Sequence, residues 1–328
     1  MKTLTERENA LRAMTRSGGP EWVPVVSDCI KMVFSREVRE RPPAGQDGKD
    51  WFGCSWIWDG ECLGFAPDLH QPYLAEDISR WRESVTFPDL DAIDWEAAAA
   101  EDMADTDREN KVVRILLESG PFERSHHILG FEGAFMAMYE NPEEYKALID
   151  AVAGYKVELI GKLIDAYKPD EIFAQDDLGH NNGPMFSLDM YREFIKPAHI
   201  RISEAIRSRG VIHTHHSCGR MEAFIDDLLD VGVQILNPIQ PCNDWKAIAE
   251  KYSGRVSFEV GADYNIAREN STEEEIRSEV RSIIDIFAPY GNTILGVFPS
   301  NRACLDRMDI ALDEARSYGG GKNYGKQQ

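Results

Sequence analysis

Residues 211–219 read VIHTHHSCG. The run starts on two β-formers and ends in Cys218 and Gly219, just before a helical pattern opens at Arg220. That order is a strand running into a βα loop, with His216 and Cys218 at the strand's carboxyl end. Residues two apart on an extended chain point the same way, so these two side chains face one centre. Imidazole nitrogen and thiolate sulfur are both zinc donors. A lone His-x-Cys pair is a weak motif, because a buried cysteine is usually inert packing and a catalytic zinc needs a third protein ligand.

Working outward, the same strand-then-helix pattern repeats. Lys111 to Glu118 and Glu171 to Ala174 read as buried strands before Val211 to His215, with Val233 to Asn237, Val256 to Val260 and Thr293 to Phe298 after it. Helices are expected between them: from the Asn141 cap to about Tyr167, from Ser187 through Ile195 with Pro197 interrupting or restarting the run, from about Glu222 to Val231, from Asp244 to Tyr252, from a Ser271/Glu274 capping box to Phe287, and from about Asp306 to Tyr318. The stretch 120–134, GPFERSHHILGFEGA, reads as a loop. Upstream, Leu4 to Met14 reads as a surface helix and Trp22 to Val26 as a first strand. Alternating strands and helices with short connections mean parallel strands and crossover helices, so the expected fold is α/β: a (β/α)8 TIM-type barrel in a single domain. Residues 1–110 supply the N-terminal helix, the first strand and an irregular cover, residues 111–320 the rest of the barrel, and 321–328 a frayed tail. The cover holds Trp51, Trp56, Trp58, Trp81 and Trp95, which are costly to leave in water.

Chemistry in such barrels sits at the carboxyl ends of the strands. That rule collects Glu118, Glu123, His126 and His127; Gln175, Asp176, Asp177 and His180; His213, His215, His216 and Cys218; Asn237, Gln240 and Cys242; Glu259 and Asp263; and Ser300, Arg302 and Cys304. His213 is expected to be a core histidine. Asp176 and Asp177 suit either catalysis or helix capping. For the third metal ligand, Cys304 lies just past the last strand, Cys242 is one strand on from the pair, and Glu259 is the oxygen-donor option. Trp56, Phe131 and Tyr191 are candidate aromatic contacts to a substrate, with Gln240 a polar one.

The 328 residues carry a formal net charge of -21. That charge repels phosphate backbones and anionic membrane surfaces, so neither nucleic acid nor membrane is an expected partner. Six scattered cysteines and the absence of a long apolar run point to a reduced, cytoplasmic protein.

DWFGCSW (50–56), LAEDISRW (74–81), GPFERSHHILGFEGA (120–134), QDDLGHNNGPMFS (175–187), REFIKPAH (192–199), HTHHSCG (213–219) and ILNPIQPCND (235–244) together resemble the uroporphyrinogen decarboxylase-like superfamily. Within it the chain looks most like the zinc methyltransferases that serve corrinoid proteins, above all the first methyltransferase of anaerobic aryl-ether O-demethylases. Their metal motif, His-x-Cys followed much later by Cys, falls on His216, Cys218 and, farther along than in coenzyme M enzymes, Cys304. The resemblance implies bound Zn2+ and a corrinoid (cobalamin) carried by a partner protein. It implies transfer of a methyl group from a methoxylated aromatic to cobalt(I), with Asp176 or Asp177 orienting the substrate or protonating the departing oxygen. Relatives are monomers or homodimers. A metal-free porphyrinogen-type decarboxylase, a methylcobamide:thiol methyltransferase and a non-enzymatic small-molecule-binding barrel are the alternatives. The arginine-rich segment with which the decarboxylase grips its substrate has no counterpart before residue 50.

Overall fold

The structure, a computed structural model, describes residues 3–262, 271–297 and 302–320. Among them, seven parallel strands form one sheet: β1 (Ile30–Val33), β2 (Val112–Leu117), β3 (Glu171–Gln175), β4 (Ile212–His216), β5 (Ile235–Asn237), β6 (Ser257–Ala262) and β7 (Thr293–Val297). Each strand pairs with the next in chain order. The sheet curls into a TIM-type barrel, and the segment before β1 takes the eighth position. There Val25 bridges Leu295 of β7, whose N–H donates to the Pro24 carbonyl at 2.8 Å.

The sequence places the first strand at Trp22 to Val26, and the structure corrects this. Pro24 has no N–H with which to continue a ladder, so the segment makes a single bridge. A helical turn, Val26–Cys29, then leads to the true first strand at Ile30.

The barrel floor is plugged by α1 (Glu6–Thr15), which Thr5 and Glu8 cap reciprocally. Its Ala10, Ala13 and Met14 pack against Ile30, Val112, Ile212, Ile235 and Ile294, one from each of five strands. Ser257 donates to the carbonyls of Ala13 and Met14 at 2.8 and 3.0 Å, which satisfies the end of the helix. Above this apolar floor the barrel interior turns polar. Arg114, Glu171, Thr214 and Glu259 are all fully buried there, with the Arg114 guanidinium between the two carboxylates.

The stretch 120–134 is helical, not a loop: α2 (Pro121–Leu129) is followed at once by α3 (Phe131–Glu140). Gly120 supplies no side-chain cap to α2. Asp176, beyond the end of β3, does so instead, accepting from the N–H groups of Phe122 and Glu123 at 3.1 and 2.8 Å. A cap donated by another strand leaves no local signal. The later helix Glu273–Phe287 starts on a Thr272/Glu275 capping box, one residue along from Ser271/Glu274. Tyr191–Ile195 forms a π turn, and Pro197 sits in the first turn of the restarted helix Lys196–Arg207. The tail 321–328 lies outside the described residues.

Part of the irregular cover is a small antiparallel sheet: Gly48–Lys49, Ser55–Asp59 and Gly64–Pro67. Buried Asp50 pins it to the barrel. Its carboxylate accepts from Phe52 N, Cys54 N and the Trp56 indole, and pairs with Arg124 of α2 at 2.5 Å. Among the described residues no helix is long and apolar enough to cross a membrane.

His213 faces outward from β4 into the helix layer, where Nδ1 meets Ser203 Oγ at 3.1 Å and Nε2 has no partner. Burial, with smaller contributions from His199 and Arg207, pulls its pKa down to about 3. The unfolded chain takes up this proton below about pH 6.5 and the folded one does not. Stability therefore falls as pH drops through that window, by about 1.4 kcal/mol per pH unit for this one group. In His213→Leu, urea unfolding between pH 6 and 4 should show a slope of stability against pH smaller by about one proton. The other titrating groups cancel in the difference, and parallel curves for the two proteins would refute the assignment.

Candidate metal centre

β3 and β4 lie side by side with Gln175 opposite His216, and β5 follows with Asn237 opposite His216. The pairing continues past the strand ends: Asp176 N–H donates to the His216 carbonyl, and Ser217 N–H to that of Asn237, both at 3.0 Å. The two loops that follow are then zipped together. Leu178 N–H donates to Ser217 Oγ at 2.8 Å, and Cys218 N–H to Asp177 Oδ1 at 2.7 Å. Gly219 has φ +76°, and a Cβ there would run into the backbone of Gly179 and His180. Gly179 is in turn pressed against the backbone of Arg220. This mutual approach of glycines carries the Asp177 side chain over to Cys218.

The result is a cluster at the carboxyl end of the barrel. One donor atom from each of Asp177, His216 and Cys218 lies within 4.8 Å of the others. His216 Nε2 is 3.4 Å from Cys218 Sγ and 3.8 Å from Asp177 Oδ1. Donors held about 2.0–2.3 Å from a tetrahedral ion stand roughly 3.3–3.7 Å apart, so an ion of zinc's size fits between these three with little adjustment. The nitrogen, sulfur and oxygen set also suits zinc's borderline softness, and three protein ligands leave a fourth position open.

The electrostatics point the same way. Burial raises the pKa of Asp177, and neighbouring Asp176 adds to it against the opposing pull of His216 and the Cys218 amide. Burial, Asp177 and Glu123 together push the Cys218 thiol up. Glu123, on the first turn of α2, is raised well above the usual carboxyl range by burial and by Asp177 and Asp176, and its Oε2 has no hydrogen-bond partner. Three acidic groups crowd one buried spot and resist ionising together. A divalent cation reverses that balance for the two groups that bind it, favouring the anionic forms of Asp177 and Cys218.

The other sequence candidates are placed as follows. Asp176 turns away from the cluster to cap α2 and meets His199 Nε2 at 2.8 Å. Gln240 accepts from Gly219 N–H at 2.6 Å and supports the loop. Cys242 is half-buried and close enough to raise the Cys218 pKa slightly, but it stands outside the 4.8 Å group. Glu259 is not brought to the cluster: both its oxygens are engaged by Arg114, and one also by Asn237. The Cys304 side chain, Asp263 and Ser300 lie outside the described residues.

Of the aromatic candidates, Trp56 is buried, its indole donating to Asp50 at 3.0 Å and its ring lying 3.8 Å beneath the Arg41 guanidinium. Tyr191 is wholly buried, its hydroxyl 3.0 Å from His199 Nδ1. Phe131 is 49% exposed and belongs to a row of rings with Phe122, His126 and Phe135. Burial keeps His126 neutral, its pKa lowered to about 4. Sequence reasoning collects Asp177 without the ligand role that its position suggests. The only local hint of the ligand role is that adjacent residues after a strand diverge, so one aspartate of the pair faces the loops.

Residues 57–294 match the profile of the uroporphyrinogen decarboxylase (URO-D) family. The methylated-thiol–coenzyme M methyltransferase of Methanosarcina mazei is 26% identical over 212 residues, covering 62% of this chain and 51% of that protein. The chain thus spans about half the length of this curated relative. The solved structure of a methyltransferase from Methanosarcina mazei superposes with a TM-score of 0.68 at 12% identity, covering 96% of this chain and 99% of that one. That likeness is one of fold.

Proposed function

The chain belongs to the uroporphyrinogen decarboxylase family, and from that premise we propose that it is a zinc-dependent methyltransferase moving a methyl group from a methoxylated aromatic to the cobalt(I) corrinoid of a partner protein. The observation that carries this reading is the Asp177, His216 and Cys218 donor set at the barrel mouth. Zinc held there supplies Lewis acidity that favours departure of a phenolate, otherwise a poor leaving group. In the transfer, the methyl carbon would form its new bond to the acceptor carried by the partner while the carbon–oxygen bond breaks, and the electrons of that bond would leave on the phenolate oxygen, which would take a proton.

The chain's own residues divide the remaining work. Asp177, His216 and Cys218 hold the ion. Glu123, its carboxyl raised well above the usual range by burial and its Oε2 without a hydrogen-bond partner, stands beside the cluster as the proton source for the departing phenolate. Phe131, His126 and Phe135 form an apolar wall for an aromatic ring, and the Asp50-anchored cover shields it from water. On this reading the enzyme works in the cytoplasm beside its corrinoid protein, as a monomer or homodimer.

A thiol acceptor is the second reading, and the activity of the Methanosarcina relative favours it. One experiment separates the two. Purified protein is stripped with a chelator, titrated back with zinc, and given either methoxyarenes with a reduced corrinoid protein or methylcobalamin with a free thiol. Zinc-dependent loss of the aryl methyl group to the corrinoid is the expected result. Turnover only with the thiol selects the second reading, and full activity in metal-free protein rejects both.

A further inference from the structure

Beneath the candidate metal centre, four buried side chains form a line whose polarity is set at its lower end. Arg114 can only donate and stays charged in proteins. It is fully buried and cannot swing away, because Glu171 accepts from its Nε at 2.7 Å. Its two terminal nitrogens donate to the two oxygens of Glu259, Nη1 at 3.0 Å. Both oxygens of Glu259 therefore act as acceptors.

Asn237 stands between Glu259 and His216, 2% exposed. Its amide has one donating and one accepting end, and facing a carboxylate it must present the donor. Nδ2 accordingly lies 2.9 Å from Glu259 Oε1, which turns Oδ1 toward His216 Nδ1 at 2.5 Å. The reverse orientation would set amide oxygen against carboxylate oxygen at hydrogen-bond distance, 2.9 Å. An acceptor at Nδ1 requires the imidazole proton there. In the neutral ring the other nitrogen, Nε2, then keeps its lone pair, directed at Cys218 and Asp177.

We propose that Arg114, Glu259 and Asn237 act as a positioning relay that holds His216 in the Nδ1-protonated tautomer, so that Nε2 is always ready as a metal donor. The relay supports the proposed zinc site, but the tautomer exists with or without the ion. Outer partners of this kind raise metal affinity by fixing ligand form and orientation. Here the determinant lies three side chains away, in a guanidinium at the centre of the barrel.

The test uses full-length protein with 15N-labelled histidine. In metal-free wild type, the His216 spectrum should show Nδ1 protonated and Nε2 bare. In Asn237→Leu the Nε2-protonated form should appear, and zinc competition should give a dissociation constant raised roughly 10–100-fold. The double variant Asn237→Asp with Glu259→Gln moves the charge one step along: the glutamine oxygen keeps the bond from Arg114 Nη2, its amide takes the place of Oε1, giving up the bond from Nη1, and donates to the aspartate, and the aspartate accepts from His216. It should recover both the tautomer and the zinc affinity, a rescue that a merely space-filling role would not predict. An Nε2-protonated His216 in wild type, or an unchanged spectrum and affinity in Asn237→Leu, overturns the relay. If Asn237→Leu does not fold, the wild-type spectrum and the double variant decide the matter. If wild type binds no zinc, the metalloenzyme reading fails while the spectrum still reports on the relay.

Discussion

In the proposed zinc methyltransferase, His216→Ala is expected to leave the protein folded, strip the zinc and lower the rate of methyl transfer about a thousandfold or more. A metal ion acting on a leaving group contributes several kcal/mol to the transition state, and each 1.36 kcal/mol is about a factor of ten. With one of three ligands removed, the site keeps Asp177 and Cys218, too few to retain zinc through purification. The fold should survive, because His216 lies at the open end of the barrel and its replacement removes little packing below β4. Zinc content by mass spectrometry, circular dichroism and demethylation rate check the three parts separately. Asp177→Asn should likewise lose zinc, and Cys242→Ser should keep it. X-ray absorption at the zinc edge should then show one sulfur at about 2.3 Å. Two sulfurs would move the third position from Asp177 to a second cysteine, Cys304 or Cys242. Full zinc and full rate in His216→Ala would dismiss the site altogether.

Arg114→Met is expected to be the most destabilising single change in the barrel. It leaves Glu171 and Glu259 fully buried without their counter-charge. Breaking a buried ion pair from one side costs about 3–5 kcal/mol, and here two carboxylates lose the same partner. Against a total stability of roughly 5–15 kcal/mol, much of the folded population would be lost. The pH dependence has a definite sign. Burial, opposed by Arg114, already raises the Glu171 pKa in the intact protein. Without the guanidinium the Glu171 carboxyl should rise further, so the folded state keeps a proton that the unfolded chain releases above about pH 4.3. The variant should regain stability as pH falls from 7 toward 5 more steeply than wild type does. Adding Glu171→Gln and Glu259→Gln should restore much of the loss at neutral pH. A urea midpoint for Arg114→Met equal to that of wild type would mean that the buried triad contributes nothing.

Much of the fold and half of the site are legible in the sequence, for a local reason. Side chains alternate along an extended chain, so VIHTHHSCG alone implies that His216 and Cys218 share a face and that His213 lies on the other. Strand and helix periodicity likewise reveals the barrel from residue 111 onward. Expectations fail where the deciding partner is distant. Pro24 breaks a ladder that can only be seen against β7, and α2 is capped by Asp176 from the next strand.

The sequence by itself determined the parallel α/β architecture, the His-x-Cys pair and its place at a strand's carboxyl end, because each depends on residues a few positions apart. Only the tertiary structure decided which of two adjacent aspartates reaches that pair, that Glu259 lies two side chains beneath it, and that a charged layer underlies the site. Those facts depend on the register between strands: Asn237 reaches His216 because β5 lies one step over from β4, and no periodicity within a single strand encodes that offset.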